Sequence, residues 1–137
     1  MMSTDASPPP ANDDPRFTQR RKRALLVEDE DMVRKVTTRM LESLGYDVIA
    51  APNGHTGLMR FRNEHDDLDL VMTDVSMPEM TGLEFFDAIQ AINPDVPVVI
   101  CSGRASEDDL VHCVAMPRGF LRKPYRRAEL AELLEAC

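Results

Sequence analysis

From residue 24 onward, apolar and polar positions along the chain alternate between two rhythms. Unbroken apolar stretches recur at ALLV (24–27), LDLVMT (68–73) and VPVVIC (96–101), with strand-like pieces at YDVIAA (46–51) and GFLR (119–122). Such near-continuous runs are the pattern of strands covered on both faces. Between them the spacing is helical. In 31–45, Val33, Val36, Met40 and Leu44 recur at helical intervals and Gly45 supplies a stop. PNG (52–54) is a turn, with Asn53 placed to cap a helix running through Phe61. A third helix is predicted from about Gly82 to Ile92, closed by Asn93-Pro94. SEDD (106–109) has the form of a capping box and opens a fourth, and RRAELAELLEA (126–136) is the last.

Five strands alternating with five helices predict an α/β domain, a doubly wound five-stranded parallel sheet with right-handed helical crossovers. Functional groups in such sheets gather beyond the carboxyl ends of the strands. Strand 1 runs into Glu28, Asp29 and Glu30; strand 3 into Asp74; strand 4 into Ser102-Gly103; strand 5 into Lys123-Pro124. Singly, each has an ordinary explanation: an Asp or Ser that bonds a turn, a Lys that is solvated. The fold, however, brings these ends together. Clustered carboxylates disfavour ionisation unless a cation compensates. Mg²⁺ suits an all-oxygen site of a few carboxylates and retained waters, and could also take phosphate oxygens. Lys123 would draw the remaining phosphate charge and Ser102 would donate a hydrogen bond to it. The reading is a phosphoryl-transfer pocket with a carboxylate nucleophile.

Size and charge narrow the possibilities. The 137 residues fit one domain, and the 43% apolar and 29% charged content is that of a globular protein. No apolar run reaches the length of a membrane span and no signal-peptide pattern opens the chain, so a cytoplasmic location without membrane partners is expected. Cys101, Cys113 and Cys137 lack metal-ligand spacing and are expected as free thiols. Residues 1–23, with four prolines and Phe17 as their one large apolar ring, are expected to be a disordered tail. The basic cluster at 20–23 is read as a solvated flank in preference to a docking patch. Residues 24–137 carry 21 acidic against 11 basic side chains, a net of −10, which argues against direct nucleic-acid binding.

Four pieces of the body, LLVEDED, VMTDVSMPEMTG, VVICSG and FLRKPY, resemble in order and spacing the response-regulator receiver domain of bacterial two-component signalling. The resemblance covers 24–137. It implies a flavodoxin-like (βα)5 fold with strand order 2-1-3-4-5 and a phosphorelay role as an aspartyl phosphoprotein. Asp74 would be the phosphoacceptor. Mg²⁺ would be held by Asp29, by Asp74, by the backbone carbonyl of Ser76, and by Glu28 through water. Ser102 stands at the switch-hydroxyl position and Phe120 at the switch-aromatic position. Lys123-Pro124 matches the family's Lys-Pro pair, with a cis bond expected. Ser76 and Arg104 occupy positions that tune phosphoryl lifetime. The implied partners are a histidine kinase or histidine phosphotransfer protein and a downstream protein target. Two departures stand out: Glu28 where Asp is usual, and a stretch from Ser102 to Lys123 about one residue short, with AMPRG in place of the usual turn.

Three rival readings fit the residues less well. A haloacid-dehalogenase-type phosphatase needs a second Asp two residues after the nucleophile, and Ser76 stands there. A dinucleotide-binding unit needs a glycine-rich loop after strand 1, where VEDED would repel a pyrophosphate. A receiver-like interaction module that takes no phosphate sits poorly with an intact acidic pocket and Lys123. The expectation is therefore a phosphoacceptor module, not an enzyme acting on other substrates. It would be either a single-domain regulator or the receiver of a longer hybrid kinase.

Overall fold

A computed structural model of the chain describes residues 21–103 and 119–135. It contains β1 (Lys22–Val27), α1 (Asp31–Ser43), β2 (Tyr46–Ala51), α2 (Gly54–Glu64), β3 (Leu70–Asp74), α3 (Gly82–Ile92), β4 (Val98–Ser102), β5 (Gly119–Arg122) and α4 (Arg127–Glu135), with a 3₁₀ turn at His65–Asp67. The five strands form one parallel sheet in the order β2-β1-β3-β4-β5. This is the doubly wound sheet that the alternation predicts, in the flavodoxin-like strand order that the resemblance implies. Four of the five expected helices are among the described residues. The one expected from 106 lies outside them, as do Arg104, Cys113, Cys137 and residues 1–20.

Strand periodicity splits the core in two. Leu25 and Val27 face one side of β1, packing with Phe61, Phe85, Phe86 and Ile100 under α2 and α3. Ala24 and Leu26 face the other, packing with Leu41, Met72, Val99 and Leu130 under α1 and α4. Phe61, Phe85 and Phe86 are fully buried. Each contributes about 1.5–3 kcal/mol of transfer free energy.

Local signals account for several boundaries. Asn53 Oδ1 accepts the Thr56 N–H at 2.7 Å and caps α2. α3 opens with a reciprocal capping box. Thr81 Oγ1 accepts the Glu84 N–H at 3.1 Å, and Glu84 Oε1 accepts the Thr81 N–H at 2.9 Å. Gly45 has φ +101°, a conformation that glycine enters without a Cβ penalty. No helix among the described residues is long and apolar enough to cross a membrane.

Two expectations need correction. β1 starts at Lys22, so the proposed tail cannot extend to residue 23. The Arg23 N–H donates to Asp69 Oδ2 at 2.8 Å, the Arg23 carbonyl accepts the Asp69 N–H at 2.8 Å, and Arg21 pairs with Asp47 at 2.9 Å. Acids distant in sequence thus hold Arg21 and Arg23 where β1 enters the sheet. α1 keeps most of its apolar spacing, with Met40 and Leu44 packed against the core and Val33 half-buried, but Val36 turns outward. Thr37 and Leu41 are its buried residues, while Val36 is 45% and Met32 74% exposed.

Candidate functional site

The parallel sheet delivers its chemistry-bearing residues to one edge. Asp74 is the last residue of β3, in register with Cys101 of β4, and Ser102 ends β4 opposite Arg122 of β5. The Lys123 N–H donates to the Ser102 carbonyl at 2.7 Å, carrying the ladder one residue past β5. The Glu28 N–H donates to the Ala51 carbonyl at 3.1 Å, so Glu28 leaves β1 still tied to β2. Beyond Asp74, the Gly82 N–H donates to the Val75 carbonyl at 2.8 Å. A Cβ at Gly82 would lie 1.9 Å from the Asp74 carbonyl oxygen, so the start of α3 can approach the end of β3 only without a side chain there.

The result is a cleft of about 600 Å³ lined by Asp29, Glu30, Asp74, Ser76, Thr81 and Lys123, among others. Carboxylate oxygens of Glu28, Asp29 and Asp74 lie within 4.8 Å of one another. Glu28 and Asp74 are buried and Asp29 is half-buried. Lys123 Nζ donates to Glu28 Oε1 at 2.8 Å and stands 3.3 Å from Asp74 Oδ2. Glu28 Oε2 accepts the Glu30 N–H at 3.2 Å.

Electrostatics follow from crowding and burial. Burial raises the Asp74 carboxyl from 3.8 to about 6; Lys123 opposes the rise, and Glu28 and Asp29 add to it. Burial alone would lower the Lys123 ammonium, but the Glu28 hydrogen bond and the charges of Asp74 and Glu28 raise it on balance. Lys123 therefore remains a cation. The donor set suits a hard divalent ion, being three converging carboxylates with a negative excess that a small cation would relieve. Among the described residues lining the cleft the cation is Lys123, and it does not neutralise all three.

The sequence-predicted residues divide as follows. Glu28, Asp29, Asp74 and Lys123 converge. Ser76 lines the cleft from an exposed position. Ser102 is fully buried at the end of β4. Phe120 is half-buried on β5 against the core beneath α2 and α3. The Lys123-Pro124 bond is cis. Both side-chain oxygens of Glu28 are engaged by donors of the chain itself, which suits a residue that would act on a metal at one remove.

Other neighbours of the site were not singled out from the sequence. The Tyr125 and Thr37 hydroxyls are 2.7 Å apart, joining the loop after β5 to α1. Burial raises the Tyr125 hydroxyl and pushes the Cys101 thiol up to about 12, so both are held neutral. Thr81 reaches the cleft as the cap of α3. Arg34 donates from Nη1 to the Glu28 carbonyl at 2.9 Å. The available signal for Arg34 was a single Arg placed shortly after four consecutive acids.

Comparison with known proteins agrees with this geometry. Residues 24–135 match the model of the response regulator receiver domain. The chain is 35% identical over 121 residues to a transcriptional regulatory protein of Picosynechococcus, covering 84% of this chain and 47% of that protein. It is 37% identical over 116 residues to the sensor kinase CckA of Brucella abortus, covering 81% of this chain and 12% of that protein. The chain thus spans less than half the length of either relative. A response regulator receiver domain protein from Clostridium thermocellum superposes with a TM-score of 0.77 at 26% identity, covering 84% of this chain and 93% of that one.

Proposed function

The chain belongs to the response regulator receiver domain family, and on that footing we propose that it accepts a phosphoryl group on Asp74 from a histidine kinase or histidine phosphotransfer protein. One observation carries the reading: Glu28, Asp29 and Asp74 present carboxylate oxygens within 4.8 Å of one another, with the Lys123 ammonium between two of them.

In this proposal an Asp74 oxygen attacks the phosphorus of the donor. A P–O bond forms, the P–N bond to the donor's imidazole breaks, and the electron pair leaves with the nitrogen. Lys123 offers its ammonium to the phosphoryl oxygens and Ser102 its hydroxyl. Asp29, Asp74 and the Ser76 carbonyl would hold Mg²⁺ directly and Glu28 through water; the bound ion would neutralise charge on the acids and on the incoming phosphate. Ser76 and Arg104 would set how long the phosphoryl group lasts. Ser102 drawn toward it would let Phe120 change position and signal to a protein target. The unit that begins with β1 at Lys22 would be the phosphoacceptor, working in the cytoplasm where its donors are, and its acidic surface gives nucleic acid no direct role.

The test is incubation with Mg²⁺ and acetyl phosphate, followed by intact-mass and peptide mass spectrometry. An acid-labile phosphate on Asp74, absent in Asp74→Asn, is the expected result. No adduct in the wild-type protein would instead indicate a receiver-like module that takes no phosphate. Sustained turnover of a phosphomonoester would indicate a phosphatase.

A further inference from the structure

We propose that Arg34 is a positioning residue for the acidic pocket: its guanidinium fastens the β1–α1 turn so that Glu28 and Asp29 converge on Asp74. This rests on reading the pocket as a Mg²⁺-dependent phosphoacceptor. The turn carries four consecutive acids, Glu28 to Asp31, whose mutual repulsion favours splaying. α1 begins without a side-chain cap, Glu30 standing at the cap position. Arg34 bridges the turn from inside the helix. Nη1 donates to the Glu28 carbonyl at 2.9 Å, Nη2 pairs with Asp31 at 2.5 Å, and the backbone N–H donates to the Glu30 carbonyl at 2.9 Å. One side chain therefore touches residues on both sides of Asp29. Its side chain is only 19% exposed, against 80% for Asp31, so the bond to the Glu28 carbonyl is the better shielded of the two. On its other side Glu28 is held by β2 through the Ala51 carbonyl. The two restraints hold the Glu28 backbone from both sides, next to the Cα that carries the Asp29 side chain.

A fork is required for this. Guanidinium offers several donors in a rigid plane and can hold a carbonyl and a carboxylate at once, whereas an ammonium is a compact point charge on a flexible stem. The positioning role also has a sign of its own. Arg34 is a cation beside a candidate cation site. By charge alone it repels Mg²⁺, and deleting it would tighten metal binding. By geometry it holds the ligands together, and deleting it weakens metal binding.

Isothermal titration of the full chain with MgCl₂ separates the two. The wild type is compared with Arg34→Met, Arg34→Lys and Asp31→Asn, and thermal unfolding in EDTA reports the metal-free fold of each. Arg34→Met is expected to weaken Mg²⁺ binding roughly tenfold, the lower end of what outer contacts of metal ligands contribute. Arg34→Lys, with its charge retained, is expected to weaken it as well. Asp31→Asn, which keeps the bond to Glu28, is expected to stay near wild type. Unchanged or tighter binding in folded Arg34→Met overturns the proposal, and so does full recovery in Arg34→Lys. Should Arg34→Met not fold, Arg34→Lys alone decides. A wild-type protein that binds no Mg²⁺ overturns the phosphoacceptor reading, and this proposal with it.

Discussion

Lys123 Nζ is 2.8 Å from Glu28 Oε1, an ion pair between residues 95 positions apart. It joins the ends of β5 and β1, two strands separated in the sheet by β3 and β4. The extra methylene of Glu28 over the more usual Asp lengthens its reach toward Lys123, while Asp74 stands 3.3 Å from the same ammonium.

Lys123→Met should therefore leave buried carboxylates without their cation. Urea unfolding at pH 7 in EDTA is expected to lose about 1–3 kcal/mol, because removing one partner of a buried pair strands the other. Millimolar Mg²⁺ should recover part of the loss by binding the folded state alone. Stability equal to wild type in EDTA would show that the pair does not hold the strand ends.

Asp74→Asn should stabilise the metal-free protein at neutral pH. The Asp74 carboxyl is raised from 3.8 to about 6. For an acid raised in the folded state, the favourable contribution is fully present below the unfolded value and is lost as pH rises through the folded one. At pH 7 the wild type thus holds an ionised group that the fold disfavours. Asn should gain on the order of 1–2 kcal/mol there. The gain should shrink as pH falls through about 6 and vanish below 3.8. Melting temperatures of both proteins in EDTA across pH 3.5–8 check this; a pH-independent difference would rule it out.

Gly82→Ala should damage the site from outside it. Its Cβ would meet the Asp74 carbonyl oxygen at 1.9 Å and the Val75 Cα at 2.9 Å, both backbone atoms that cannot swing aside. Overpacking of this kind costs about 1–3 kcal/mol and shifts the backbone. The variant should unfold at lower urea and label more slowly with acetyl phosphate at saturating Mg²⁺. Wild-type labelling would mean that the approach of α3 does not set the position of Asp74.

Ser102→Ala should uncouple the pocket from β5. Ser102 is fully buried at the end of β4, and Phe120 is only half-buried, as the second residue of β5. Beryllofluoride with Mg²⁺ is expected to shift the Phe120 ring resonances in the wild type, since a ligand moves a two-state element only through its differential affinity. The shift should be largely lost in Ser102→Ala while beryllofluoride still binds. An undiminished shift would place the coupling elsewhere.

Breaking the Thr37–Tyr125 bond tests the link between α1 and the loop after β5. The hydroxyls are 2.7 Å apart and Thr37 is buried. Thr37→Val keeps the shape and removes one partner of the Tyr125 hydroxyl, which keeps its bond to Cys101, and should cost about 0.5–1.5 kcal/mol in urea unfolding. No change would mean that water replaces the partner without loss.

Much of this protein was legible along the chain. The unbroken apolar runs and the helical spacings between them determined the order of elements, and with it the parallel sheet, because strands alternating with helices supply the long crossovers that parallel neighbours need. Local chemistry marked Asn53 as the cap of α2, Asn93-Pro94 as the end of α3, and Asp74 and Lys123 as strand-end charges. Tertiary structure alone decided the rest. Which face of α1 turns inward depends on the sheet beneath it, so Thr37 and Leu41 are buried while Val36 is not. The start of β1 moved back to Lys22 because its partners, Asp47 and Asp69, are 20 to 50 residues away along the chain. The pairing of Lys123 with Glu28, and the grip of Arg34 on the Glu28 carbonyl, depend on distances in space. Sequence spacing reports these only within a helix turn or a strand pair.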